Sequence, residues 1–207
     1  MDIIVVTGGI GSGKSEVCRI IQEYYGCGVY CADRRVKELY DASPGLLDEI
    51  EAELGVLLRN SDGVFVPRLL ADVIFNDRNA LETVESIVFP VLLKDFELWS
   101  ASYEEARFVV FESATILEKP QLKGFGNMIL LVDAPFETRL ERACQRDMVQ
   151  REKMLERMHN QTLMNGISEG VVRPEVDAVI QNTGSVSELK LKVREVIDDL
   201  YDMNVKS

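Results

Sequence analysis

Hydrophobic positions along the chain follow two alternating periods. Ile3 to Val6 is an unbroken apolar run closed by glycines, the pattern of a strand covered on both faces. From Lys14 to Tyr25 the spacing changes: Val17, Ile20, Ile21 and Tyr24 fall at i, i+3, i+4 and i+7, one face of a helix. Val29-Tyr30-Cys31 predicts a second short strand ending at Asp33. Ser43-Pro44 supplies an N-cap and a first helical residue for a helix through Leu54. After a turn at Asn60-Ser61-Asp62-Gly63, two helices are expected at about 68–75 and 79–98, with Pro90 bending or dividing the second. Arg107 to Phe111 and Met128 to Val132 predict strands, Phe136 to Met148 and Glu152 to Asn165 helices, and Ala178-Val179-Ile180 a last strand. Ser185-x-x-Glu188 forms a capping box before a final amphipathic helix carrying Leu189, Val193, Val196, Ile197 and Leu200.

Strands alternating with helices predict an α/β fold with a mostly parallel sheet. The stretch from about 41 to 100 is nearly all helical and reads as an insertion at one sheet edge. A chain of 207 residues is long enough for one sizeable core with a small appended subdomain.

Charge narrows the choice of partners. The formal net charge of −12 opposes a general nucleic-acid or membrane-surface role, while leaving room for a local cationic pocket. Asp2 stands where a secretory signal needs basic residues, and no stretch approaches the roughly 20 apolar residues needed to span a bilayer. A soluble cytoplasmic protein is expected, as a monomer or small homo-oligomer acting on small molecules. Cys27 and Cys31 have a metal-ligand-like spacing, but His159 is the only histidine and no second cysteine pair exists, so free thiols are expected.

The chemistry is concentrated at Gly8-Gly9-Ile10-Gly11-Ser12-Gly13-Lys14-Ser15, which satisfies G-x-x-x-x-G-K-[ST] between a buried strand and an amphipathic helix. Glycines let successive backbone N–H groups close around phosphate oxygens, and the helix N-terminus adds its dipole. Lys14 is expected to reach the β- and γ-phosphates of a bound nucleotide, and the Ser15 hydroxyl to bind Mg²⁺. One phosphate-binding loop in a short chain favours a small-molecule kinase. Asp33 suits a general base or a group behind the metal, with a strand-end or capping aspartate as the plainer alternative. Arg139, Arg142 and Arg146 share one helix face as a candidate phosphate clamp, or as a solvated face paired with Glu137, Glu141 and Asp147. Arg34, Arg35 and Lys37 form a second basic cluster, and His159 reads as a surface residue.

Over nearly its whole length the sequence resembles the dephospho-CoA kinase family. Thr7 to Ser15 reproduces the family's T-G-G-I-G-S-G-K-[ST], and Cys31-Ala32-Asp33 occupies the place of its D-A-D tripeptide. Asp62, Gly63, Arg68 (one residue beyond the usual place) and Phe75 resemble a D-G-x-x-x-R-x-x-L-x-x-x-x-F pattern. Val84 to Pro90 resembles L-E-x-I-x-H-P, with Phe89 for the histidine. Glu112 to Glu118 resembles D-x-P-L-L-F-E, keeping the last acid and having Ala114 for the proline. Arg142, Arg146 and Asp147 keep R-x-x-x-R-D, followed by Gln161, and Asp177, Val179, Ile180, Asn182 and Gly184 keep D-x-V-I-x-N-x-G.

The resemblance implies a three-layer α/β/α P-loop fold with a mostly parallel five-stranded sheet. It implies a core of 1–59, 101–137 and 168–207, a helical CoA-binding subdomain at about 60–100, and a lid at about 138–167. It further implies catalytic roles for Asp33, Lys14, Arg142 and Arg146. ATP would be held by Gly9, Gly11, Ser12, Gly13, Lys14, Ser15, Glu16 and Asn182, with Ser15 on Mg²⁺. Acceptor contacts are implied at Thr7, Asp33, Arg68, Phe89 and Glu118. The expected reaction is phosphorylation of the ribose 3′-hydroxyl of dephospho-CoA. A kinase for another acceptor, such as a nucleoside monophosphate, and a non-catalytic nucleotide-binding protein are the rival readings; the departures at Cys31, Phe89 and Ala114 bear on the acceptor side.

Overall fold

Strand β1 (Asp2–Thr7) lies at the centre of a five-stranded parallel sheet, in a computed structural model that describes residues 1–161 and 173–205. The other strands are β2 (Val29–Cys31), β3 (Phe108–Glu112), β4 (Met128–Asp133) and β5 (Ala178–Gln181), in the order β2-β3-β1-β4-β5. Ile4, Val5 and Val6 are fully buried, as the continuous apolar run requires of a strand covered on both faces. The register fixes what stands at the carboxyl edge. Val6 pairs with Glu112, Cys31 with the same Glu112, Thr7 with Leu131, and Asp133 with Gln181. In open parallel sheets this edge is where ligands bind.

One sheet face is covered by α1 (Lys14–Tyr25) and the final helix, here α8 (Val186–Val205). Val17, Ile20 and Ile21 of α1 meet Ile4, Val6, Val110, Leu130 and Val132, with Leu189, Val193 and Ile197 of α8 completing the cluster. On the other face Phe111 stacks on Tyr30 and meets the edge of Phe125. The capping box before α8 forms as its sequence dictates. Glu188 Oε2 accepts from the Ser185 backbone N–H at 2.6 Å, and Ser185 Oγ accepts from the Glu188 N–H at 3.3 Å. Ser185→Ala is expected to cost about 1 kcal/mol, read as a lower denaturation midpoint with unchanged slope.

The chain divides into two compact units, Met1–Cys31 with Tyr103–Ser207, and Ala32–Ser102. The second is entirely helical, with α2 (Ala32–Ala42), α3 (Pro44–Leu54), α4 (Pro67–Asn76) and α5 (Arg78–Ser100). It opens at Ala32 rather than near 60, because α2 and α3 both pack on α5. A two-pronged ion pair fixes α2 to α5: Arg35 Nε and Nη2 donate to Asp95 Oδ2 and Oδ1, each at 2.7 Å. Arg59 binds Glu51 at 2.6 Å and Asp48 at 2.8 Å, holding the connection after α3.

Three local expectations are corrected. Asp33 is not a strand end; it lies in the first turn of α2, a helix the apolar spacing did not announce. Pro90 does not divide α5, which runs unbroken from an Asp77 cap accepting the Asn79 and Ala80 N–H groups. Pro90 and Ser86 both lie at exposed positions of the helix, where the donor that proline lacks toward the Ser86 carbonyl can be supplied by water. The helix expected over Glu152 to Asn165 is α7 (Arg151–His159), and residues 162–165 lie outside the described residues, as does the end of the expected lid. Between β4 and α7 runs α6 (Phe136–Asp147), whose Leu140 and Ala143 pack against Met154 and Met158.

Candidate active site

The loop from Gly8 to Gly13 leaves the buried end of β1 and feeds directly into α1 at Lys14. Its shape depends on residues without a side chain. Gly11 has φ +76° and Gly13 +99°, a region that side-chain-bearing residues rarely adopt. A Cβ at Gly11 would collide with the Arg139 carbonyl oxygen, and one at Gly13 with Asn182 Nδ2. Gly11→Ala therefore combines left-handed strain of about 1–2 kcal/mol with a backbone clash. A lower melting midpoint and weakened ADP binding are expected; unchanged values for both would contradict this loop geometry.

Lys14 Nζ donates to the carbonyl oxygens of Gly8, at 2.8 Å, and Gly9, at 3.2 Å, so the cation is held against the loop's own backbone. Ser15 Oγ donates to Glu112 Oε1 at 2.9 Å. Glu112 ends β3 and is only 7% exposed. It was not among the expected site residues; the signal available in the sequence was an acid closing a wholly apolar strand. A hydroxyl and a buried carboxylate side by side at a helix N-terminus offer the hard oxygen donors that Mg²⁺ prefers. Among the described residues no three His, Cys, Asp or Glu side chains are gathered to hold a metal alone. A Mg²⁺ ion held partly by phosphate oxygens fits that donor set.

The far end of the loop is anchored by the chain's C-terminal region. Asn182, following β5, donates from Nδ2 to the Ser12 carbonyl at 2.8 Å and from its backbone N–H to Asp133 O at 2.7 Å. Arg142 Nη1 in turn donates to the Asn182 carbonyl at 3.3 Å. The near end is held by Gln161, two residues beyond α7, whose Oε1 accepts the Ile10 N–H at 2.8 Å. Thr7 and Ser12 are fully buried, with hydroxyls that have no protein partner among the described residues.

The structure thus brings together Thr7, Gly9, Gly11, Ser12, Gly13, Lys14, Ser15, Asn182 and Arg142, and adds Glu112, Gln161 and Arg139. Glu16 sits in the first turn of α1 and binds Arg19 at 2.7 Å, which holds its carboxyl below the usual carboxylate range. Arg146 faces outward, 64% exposed, and forks onto its neighbour Asp147 at 2.6 and 3.0 Å. Glu118 ends a short 3₁₀ turn after β3 and is half-buried. Asp33, Arg68 and Phe89 belong to the helical unit. Asp33 is exposed, Arg68 is 88% exposed on α4 beside Asp72, and Phe89 is half-buried on α5. All four cysteines are free, and burial pushes the Cys27 thiol up to about 11. No helix is long and apolar enough to cross a membrane among the described residues.

A family model described as dephospho-CoA kinase matches residues 2–188. A dephospho-CoA kinase of Aquifex aeolicus is 30% identical over 200 residues, spanning 97% of this chain and 98% of its own. One from Porphyromonas gingivalis is 37% identical over 164 residues, 78% of either chain. Among solved structures, TT1252 from Thermus thermophilus matches with a TM-score of 0.78 at 28% identity, covering 96% of this chain and 97% of that one.

Proposed function

The chain belongs to the dephospho-CoA kinase family, and on that premise we propose how its residues divide the work of phosphoryl transfer. The activity is ATP-dependent phosphorylation of dephospho-CoA to coenzyme A, the final step of coenzyme A biosynthesis. In the proposed reaction the ribose 3′-hydroxyl oxygen bonds to the γ-phosphorus and the bond to the bridging oxygen of ADP breaks. The hydroxyl proton passes to the Asp33 carboxylate. The observation that carries this reading is the complete phosphate-binding loop entering α1 with Ser15 bonded to the buried Glu112.

Lys14 exchanges the Gly8 and Gly9 carbonyls for β- and γ-phosphate oxygens, and the loop N–H groups and the N-terminus of α1 face the same anion. Ser15 and Glu112 are the groups suited to hold Mg²⁺, which when bound would neutralise charge shared by the two outer phosphates. Asn182 keeps the Ser12 carbonyl in place, and Arg142, already tied to Asn182, is the nearer of the two proposed clamp arginines. Arg146 joins only by leaving Asp147. Arg68, Phe89 and the helical unit are assigned to the acceptor on the family patterns, with Phe89 at the histidine position and Arg68 one residue beyond the arginine position. Contributions from Glu16, Thr7 and Glu118 are secondary, Thr7 being wholly buried.

The test is ADP release with ATP, Mg²⁺ and dephospho-CoA, coupled to mass detection of coenzyme A. Acceptor-dependent product with little ADP when dephospho-CoA is omitted is expected. Preference for a nucleoside monophosphate in a panel of acceptors would overturn the assignment, and tight ATP binding without transfer would favour a non-catalytic role.

A further inference from the structure

Arg139 in the sheet-bearing unit is only 1% exposed, among the largest fully buried side chains of the described residues. Arginine is seldom buried to this degree, since its guanidinium stays charged and its desolvation costs several kcal/mol. Its location is specific. A Cβ at Gly9 would collide with Arg139 Nη1 and lie 3.2 Å from the guanidinium carbon, while the Arg139 backbone carbonyl fills the space beside Gly11. The guanidinium also lies 5.6 Å from the centre of the Phe136 ring, which holds it in place. Gln161, whose oxygen accepts the Ile10 N–H, flanks the same stretch of loop.

We propose that Arg139 is a positioning residue for the nucleotide: a buried cation, set against Gly9 and Gly11, that holds the loop in its phosphate-binding form and adds positive charge to the cradle. The proposal rests on the nucleotide-binding reading of that loop. A permanent charge in the interior is best stabilised by an anion, and the loop it braces is an anion cradle. Asp133 attracts it electrostatically, while burial depresses the guanidinium's proton affinity. Arg139 thus differs in kind from Arg142 and Arg146, which share its helix face. Arg142 is half-buried and Arg146 exposed, whereas Arg139 is packed beneath solvent.

The test compares wild type with Arg139→Gln and Arg139→Lys by thermal melting with and without ADP, together with steady-state kinetics at saturating dephospho-CoA. Without ADP, Arg139→Gln is expected to melt within about 3 °C of wild type, because removing a buried charge relieves as much desolvation as it loses in packing. Its ADP-induced rise should shrink and its KM for ATP climb roughly tenfold, with kcat within about twofold. Arg139→Lys, which keeps the charge, should retain most of the ADP-induced rise. A lower midpoint without ADP combined with an undiminished ADP effect would overturn the proposal and leave a packing role. Loss of a cooperative melt in both variants would do the same. A wild-type protein with no ADP-induced rise would strike at the loop reading itself and take the proposal with it.

Discussion

Lys14→Ala is expected to lower phosphoryl transfer by roughly 10²- to 10³-fold, the scale on which a fixed positive group at a developing charge acts. Lys14 is half-exposed, and its Nζ donates to the carbonyls of Gly8 and Gly9, both buried residues, so truncation removes two hydrogen bonds from the loop. A modest loss of stability, about 1–3 kcal/mol and read as a lower melting midpoint, is expected beside the much larger loss of turnover. ADP binding should weaken less than turnover, since the lysine's largest interaction is with charge on the transferring phosphate. The comparison needs kcat, the KM for ATP and the melting midpoint on one preparation. A variant that keeps near-normal turnover would remove the loop lysine from the mechanism.

The second large effect is expected at Asp33. Replacement by Asn should cut kcat by roughly 10²-fold or more, the usual scale for loss of a general base, with the KM for ATP nearly unmoved. Asn suits a helix N-terminus about as well as Asp does, and Asp33 is exposed in the first turn of α2, so stability is not expected to fall appreciably. Near-normal turnover in this variant would leave the residue as a helix-terminus aspartate and no more.

The parts of this molecule that were legible from sequence share one property: their determinants are close together along the chain. β1, the glycine loop and α1 are specified within about 25 residues, and both the helix limits and the Ser185–Glu188 capping box follow from local spacing. Helix α2 was not legible because only Ala32 and Leu39 are buried along it, too few to mark an apolar face. Glu112 escaped because its partner Ser15 is 97 positions away, and nothing local distinguishes a ligand-bearing acid from a strand-ending one. Arg139 was visible only as one of three arginines on a face. That it lies inside the protein while Arg146 faces solvent depends on how α6 meets the loop, which spacing along α6 cannot express. Asn182 was reached through a family pattern, since its bond to Ser12 spans 170 positions.

That last bond sets the order in which the protein can mature. The cradle's loop is synthesised well ahead of one of its anchors, since Asn182 follows Ser12 by 170 positions. A nascent chain can form α1 and pair β1 with β3 and β4 long before Asn182 emerges, but until β5 joins the sheet the Ser12 carbonyl lacks its donor. Competence to capture nucleotide is thus acquired only after β5 and Asn182 have been made, so chains stopped before them have little means of sequestering ATP.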